Sequence, residues 1–376
     1  MTNRLLLKSD PRRGKLAKFF NRHQIDLPMK FVIPVILGHF LHVEICDRFI
    51  FISGQLPNGL YRKSIWDFTF LFFYFCVFTF LRAATMEFVL KPFSVFMKIP
   101  KSKKLRFAEQ SWLVIYYTIS FTSGLILFYN SPTWNDTSYF WRHYPVWELE
   151  RHLKYYYLLQ FAFWIQQPFV LQIEAPRKDY VEYMIHHINT LLLVGLSYAC
   201  NFTRVGLAVF VSMDLPDVLL CLAKTLHYLQ YGFICDLTFI LMVFSWMYTR
   251  VYYYGCIIWS TFTEPELYVP EFKLDPLNGN WFPHFTKYII LGLMLGLYTL
   301  IIFWTLMIFK VVIKLFTTTG ITDVRSDDEI TEIEEDSNSP SATTTLNGYL
   351  APPDAIKGKK RRLSRTEQIK NYAARR

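Results

Sequence analysis

Residues 177–224 read RKDYVEYMIHHINTLLLVGLSYACNFTRVGLAVFVSMDLPDVLLCLAK. Two apolar stretches, about 185–202 and 205–222, are joined by a very short turn, and each is close to the length that a bilayer-crossing helix needs. Ionisable groups interrupt both. His186 and His187 lie about one turn into the first, and Asp214 and Asp217 stand three residues apart in the second, so they share a helix face. Charge at membrane depth is costly and marks a functional site by default.

Working outward, the same reading extends over most of the chain. Further apolar runs cover about 31–52, 67–90, 111–129, 153–174, 233–260 and 286–316, and the 376 residues are 52% hydrophobic and 18% aromatic. Runs near 20 residues are what bilayer spans require, so the expected fold is an all-α polytopic membrane protein of about eight transmembrane helices. The first run carries His39, His42, Glu44, Asp47 and Arg48, and an interfacial segment there leaves seven. The first 30 residues have no apolar core of a signal peptide, so the first run is expected to act as a retained anchor. The net charge of +10 is concentrated at 1–30, 91–106 and 357–376, outside the runs. No basic face on a compact domain is implied, so no nucleic-acid partner is expected. All six cysteines lie in or beside apolar runs without a CxxC and read as small hydrophobes.

The basic loop near 91–110 fixes the orientation, with both termini cytosolic. The sequon at Asn135 then falls in the lumen as an expected glycosylation site. The second sequon, at Asn201, lies in a turn against the bilayer and is expected to stay unmodified. After Thr317 the chain becomes acidic, then Ser/Thr/Pro-rich, then basic, a composition expected to be disordered.

The short turn makes 185–202 and 205–222 expected antiparallel neighbours. At about 1.5 Å per residue, both polar pairs then lie in the cytosolic half and can face one another. An imidazole beside a carboxylate is a general-base unit, and imidazole is a competent acyl acceptor. The competing readings are a His–Asp network that only ties two helices, and a metal site, for which HxxxH and HxxHH motifs are missing. Pro216, between the aspartates, opens the helix by leaving a carbonyl unpaired. Arg177, Lys178 and Lys224 are either snorkelling anchors or phosphate contacts for an anionic thioester such as a coenzyme A ester. Ser197, Tyr198, Asn201 and Arg204 are expected to bond across helices or to touch a polar lipid head. The HVEICD stretch at 42–47 fits an H-x4-D acyltransferase pattern that occurs close to chance.

The spaced set RKD, HH, T, SY, N, R-x-G, D-x-x-D and AK, over 177–228, resembles the Lag1 motif of ceramide synthases, within the TLC (TRAM–Lag1–CLN8) domain. KLRFAEQSW at 104–112 is similar to the opening motif of that domain. The resemblance implies a basic N-terminus (1–30), two N-terminal transmembrane helices with a basic loop (31–104), a TLC domain (105–320) and a tail (321–376). It implies N-acylation of a sphingoid base, sphinganine or phytosphingosine, by a fatty acyl-CoA in the endoplasmic reticulum membrane. Acyl-CoA is then a co-substrate, with no tightly bound cofactor, and membrane lipids are the surroundings. His186, His187, Asp214 and Asp217 become the essential residues, with His186 the candidate acyl acceptor. Met213 departs from the histidine common in animal members, and a Hox-like insertion is missing; both features resemble fungal members. DVRSDDE at 323–329 is similar to the family's acidic C-terminal motif, which makes Ser326 a candidate phosphorylation site. The resemblance also implies a small single-span accessory subunit and a homo- or heterodimer with a paralogous synthase. A non-catalytic TLC protein that senses or chaperones lipids and a metal-dependent lipid oxygenase are the alternatives.

Overall fold

The computed structural model describes residues 15–174 and 180–317, with side chains to 313. Expectations placed on Arg177, Lys178, Ser326 and the tail from 318 lie outside the described residues. The described elements are helical apart from one two-residue hairpin: α1 Lys15–Arg22, α2 Asp26–Phe40, α3 Glu44–Ile50, α4 Asp67–Ala84, α5 Lys91–Phe96, α6 Lys104–Tyr129, α7 Arg151–Ile173, α8 Tyr180–Ala199, α9 Thr203–Tyr228, α10 Gly232–Ser245, α11 Tyr254–Thr263, α12 Pro265–Tyr268, β1 Leu274–Asp275, β2 Asn280–Trp281 and α13 His284–Thr317. Wide π-helical turns at Thr85–Leu90 and Trp246–Tyr253 carry α4 into α5 and α10 into α11. The helices belong to a compact unit of residues 1–310; of the second unit, 311–376, the described part is the end of α13.

Among the described residues, five stretches are long and apolar enough to cross a membrane: Asp67–Phe96, Lys104–Tyr129, Thr203–Tyr228, Gly232–Thr263 and His284–Ile313. With 23 and 20 residues, α7 and α8 have the length but spend positions on Gln, Glu, His and Asn, which lowers their mean hydropathy. The chain is thus an all-α, multi-spanning membrane bundle.

The expected first span, 31–52, is not one helix. It breaks at Leu41–Val43, where His42 adopts a φ of 57°. Two contacts hold the bend: His39 Nδ1 lies 2.6 Å from Asp47 Oδ1, and Cys46 packs into the space left by the absent Cβ of Gly38. The polar residues that weakened this run as a span are the ones that fold α3 back on α2.

Packing around α9 sets the interior. Its most extensive neighbour is α6, followed by α10, while α7 lies along α4 and α8. Gly124 of α6 and Gly206 of α9 admit the hydroxyl ends of Tyr156 and Tyr157, which would collide with any Cβ there. At one end of the bundle, the loops before α4, α7 and α13 form a cap. Tyr61 pairs with Leu149 as an isolated bridge, Trp141 stacks on Phe282 at 6.0 Å, and Tyr144 stacks on Phe202 at 5.2 Å. Beneath it, fully buried Lys154 lies 2.9 Å from Asp67 and donates to the carbonyls of Ser53 and Arg62, both at 2.7 Å.

Candidate active site

The two aspartates of α9 have different surroundings. Asp214 is buried, and its carboxylate accepts from Ser120 Oγ at 2.5 Å and from Gln160 Nε2 at 3.0 Å. Gln160 is held in turn, accepting from the Tyr116 hydroxyl at 2.8 Å and donating to that of Tyr156 at 3.0 Å. Asp217, one turn on, lies 2.7 Å from Arg250 Nη2. The same Nη2 donates to the carbonyl of Met213 at 2.6 Å. Pro216 accounts for the second contact: a proline inside a helix distorts the turn before it and frees backbone carbonyls for outside donors. The Arg250 guanidinium also covers the Trp246 ring, 4.3 Å from its centroid, and Trp246 Nε1 donates to Thr305 Oγ1 of α13 at 2.8 Å.

The histidines of α8 stand in an aromatic surround. His187 is buried and His186 half-buried, with ring centroids 5.4 Å apart. Trp164 of α7 lies 5.8 Å from His186 and 6.0 Å from His187. Trp304 of α13 meets His186 edge-on at 5.3 Å, and Tyr183 lies 6.2 Å from His187.

Among the described residues, the hydrogen bonds and ion pairs of Asp214 and Asp217 run to Ser120, Gln160 and Arg250, and none runs to an imidazole. The reason is helix placement: despite the short turn, α8 lies chiefly along α7, whereas α9 lies along α6 and α10. Arg250 links the two sets, because it pairs with Asp217 and also acts electrostatically on His186.

Arg250 and Gln160 were not among the residues singled out from the sequence. A signal for Arg250 existed, since an arginine inside the apolar run SWMYTRVYYY is an intramembrane charge like the aspartates. The π-helical turn that carries it is a further mark, as such turns recur at functional sites. Gln160 carried no such signal, because an amide in a Tyr-rich helix resembles ordinary interhelical bonding.

The other expected contacts divide by position. Lys224 is exposed near the end of α9 and acts electrostatically on Asp217. At the capped end, Tyr198 donates to Asp67 at 2.8 Å, and buried Asn201, at a φ of 64°, donates to the carbonyl of Gly279 at 2.8 Å. Arg204 donates to the carbonyls of Tyr139 and Arg142 at 2.9 and 3.2 Å. These three groups tie the helices to the cap. Ser197 shares a hydrogen bond with the Tyr157 hydroxyl and lines a small apolar cavity of about 60 Å³. Tyr157, Gly206, Tyr254, Phe282 and Met294 are among its other walls. Asn135 is exposed on the capped end. Among the described residues, no group of three His, Cys, Asp or Glu side chains is placed to hold a metal.

Residues 106–310 match the family of the TLC domain (TRAM–LAG1–CLN8). The chain is 38% identical to the sphingosine N-acyltransferase lag1 of Schizosaccharomyces pombe over 75% of its own length and 73% of that protein. It is 36% identical to the ceramide synthase LAG1 of Saccharomyces cerevisiae over 85% of its length and 79% of that protein. Identity to the sphingosine N-acyltransferase-like protein ALT7 of Alternaria alternata is 34%, over 86% and 79%.

Proposed function

The chain belongs to the TLC-domain family of Lag1-type ceramide synthases, and we propose that it transfers a fatty acyl group from acyl-CoA to the amine of a sphingoid base. The observation that carries this reading is the half-buried His186, set among aromatic rings and within electrostatic reach of the Arg250–Asp217 pair. An imidazole in such a place can take a proton from the amine or accept the acyl group. In the net reaction the amine nitrogen bonds to the carbonyl carbon, the carbon–sulfur bond breaks, and the amine proton leaves with the coenzyme A thiolate as its thiol. His186 is the acyl acceptor or base and His187 its support. Asp217 keeps Arg250 in place, and Asp214 fixes α9 against α6 and α7. Lys224, with Arg177 and Lys178, faces the phosphates of acyl-CoA, and the acyl chain extends toward the cavity walled by Ser197 and Gly206.

The membrane arrangement follows from the same contacts. Gln24, ahead of α2, accepts from Arg82 at the far end of α4, whereas Thr69 at the near end donates to the carbonyl of Arg48 in α3. The bent α2–α3 segment therefore runs the length of α4, which supports eight crossings with both termini cytosolic and the cap in the lumen of the endoplasmic reticulum. The TLC domain occupies 105–320, a dimer or a single-span subunit covers lipid-facing helices, and Ser326 is the site of regulation by phosphorylation.

Purified protein given a long-chain base and a fatty acyl-CoA is expected to form the N-acyl product and free coenzyme A. His186→Ala and Asp217→Ala are each expected to abolish it; full activity in both variants sinks the site assignment.

A further inference from the structure

Buried side-chain donors nearly always find a partner, so one that does not calls for an explanation. Trp164 is 6% exposed, and its indole nitrogen, a donor only, has no hydrogen-bond partner among the described residues. Two buried tryptophans show the ordinary arrangement, Trp141 donating to Ser260 at 2.9 Å and Trp246 to Thr305 at 2.8 Å, whereas Trp112, packed with Met86, Leu90 and Ala108, is also without a partner among the described residues. Trp164 differs in place as well, since its ring lies against both imidazoles.

A second such group sits on the same face of α8. Thr190 follows His186 by one turn and is 8% exposed, yet its hydroxyl also has no partner among the described residues. Several helical threonines bond back to the carbonyl four residues earlier, as Thr79, Thr225, Thr238, Thr261 and Thr305 do at 2.7–2.9 Å. Thr190 leaves that bond unmade. The Nδ1 of His186 is a third buried polar atom without a hydrogen bond among the described residues. Three such atoms around one histidine describe a place prepared for a polar ligand atom.

Resting on the acyltransfer reading, we propose that the Trp164 N–H and the Thr190 hydroxyl are the donors that receive the acyl carbonyl oxygen as it becomes negative. When the nucleophile bonds to the carbonyl carbon, the carbonyl π electrons move onto oxygen. They return when the carbon–sulfur bond breaks and the sulfur leaves with its electron pair. Donors fixed in a dry wall stabilise that oxygen without having to reorganise. Trp164 lies outside the residues 177–228 that carry the motif, and its ring and N–H have separable uses: the ring packs on the imidazoles and the N–H bonds the substrate.

The test measures steady-state acyl transfer by the full chain, with a long-chain base and a fatty acyl-CoA, for Trp164→Phe, Thr190→Val and Thr190→Ser. Loss of one oxyanion donor lowers turnover by about 100-fold or more. The expected result is that fall in kcat for Trp164→Phe and Thr190→Val, with KM for the base unchanged within about twofold, and recovery in Thr190→Ser, which keeps the hydroxyl. Where Trp164→Phe lowers the yield of folded protein, the benzothiophene isostere of tryptophan at 164 keeps the shape, lacks the N–H, and is expected to show the same fall. Turnover within twofold of the parent for the isostere and Thr190→Val overturns the proposal and leaves the acyltransfer reading intact. A rise in KM with unchanged kcat overturns it too, by showing a packing role. Absence of acyl transfer in the parent protein removes the underlying reading and the proposal with it.

Discussion

Arg250 is the residue whose removal should be felt on both sides of the site. It uses one nitrogen for Asp217 and the Met213 carbonyl while its flat face covers Trp246. An arginine paired inside a protein is costly to strip of its partner, because the charge that remains has no water to compensate it; breaking such a pair costs about 3–5 kcal/mol. Lysine does not replace it, since a point charge lacks both the fork and the stacking face. A double-mutant cycle with Arg250→Ala and Asp217→Asn, read from unfolding in mild detergent, is therefore expected to be non-additive by about 1–3 kcal/mol. Additivity within about 0.5 kcal/mol would show that the two residues do not stabilise one another. In activity, Arg250→Lys is expected to behave much more like Arg250→Ala than like the parent.

At the scale of elements, α8 and α9 show what the sequence could and could not convey. Both helices were legible, because apolar runs of this length interrupted by HH and D-x-x-D have few other uses in a membrane protein. Their mutual placement was not. A short turn fixes which helices are joined in the chain, but the lateral neighbours depend on where small residues let backbones approach, and α9 presents Gly206 to Tyr157 of α7 and Val211 to Gly124 of α6. For that reason α8 lies chiefly along α7 while α9 lies along α6 and α10. The π-helical turn around Arg250 was equally invisible, because it follows from packing rather than from any local breaker residue. The glycines give a direct check. Gly206→Ala places a methyl group on the Tyr157 hydroxyl and should break its bond to Ser197, costing about 1–3 kcal/mol, as overpacking usually does. Gly195→Ala in α8 meets only Phe161, at an ordinary 3.5 Å, and should be neutral or slightly stabilising, since alanine favours the helix. Equal melting shifts for the two would contradict the close approach of α9 to α7.

For the whole molecule, the decisive relation is between the two ends of the bundle. One end is closed by the aromatic cap and the Lys154–Asp67 pair, to which Tyr198 is also bonded. The other carries Arg82 with Glu174 and Gln24, and the start of α6 after the basic loop. The middle of the motif, SY, N and R-x-G, thus builds the closed end, while its histidines and aspartates lie deeper along the helices. That division was hidden in the sequence, because a polar residue that bonds a loop carbonyl and one that bonds a ligand look alike until the loop is placed. It also separates the two sequons. Asn135 is exposed on the cap, whereas Asn201 is 7% exposed and bonded to Gly279. If the cap is luminal, Asn135 meets the glycosylation machinery and Asn201 cannot, although both carry the required N-x-T. Protein made in a glycosylating membrane is then expected to carry a single glycan, removed by glycosidase and absent from Asn135→Gln. Asn201→Gln should leave the glycan untouched but lower thermal stability, because its bond to the Gly279 carbonyl is lost. Failure of Asn135 to be modified even when its loop is lengthened with flexible residues would place the cap in the cytosol and reverse every crossing.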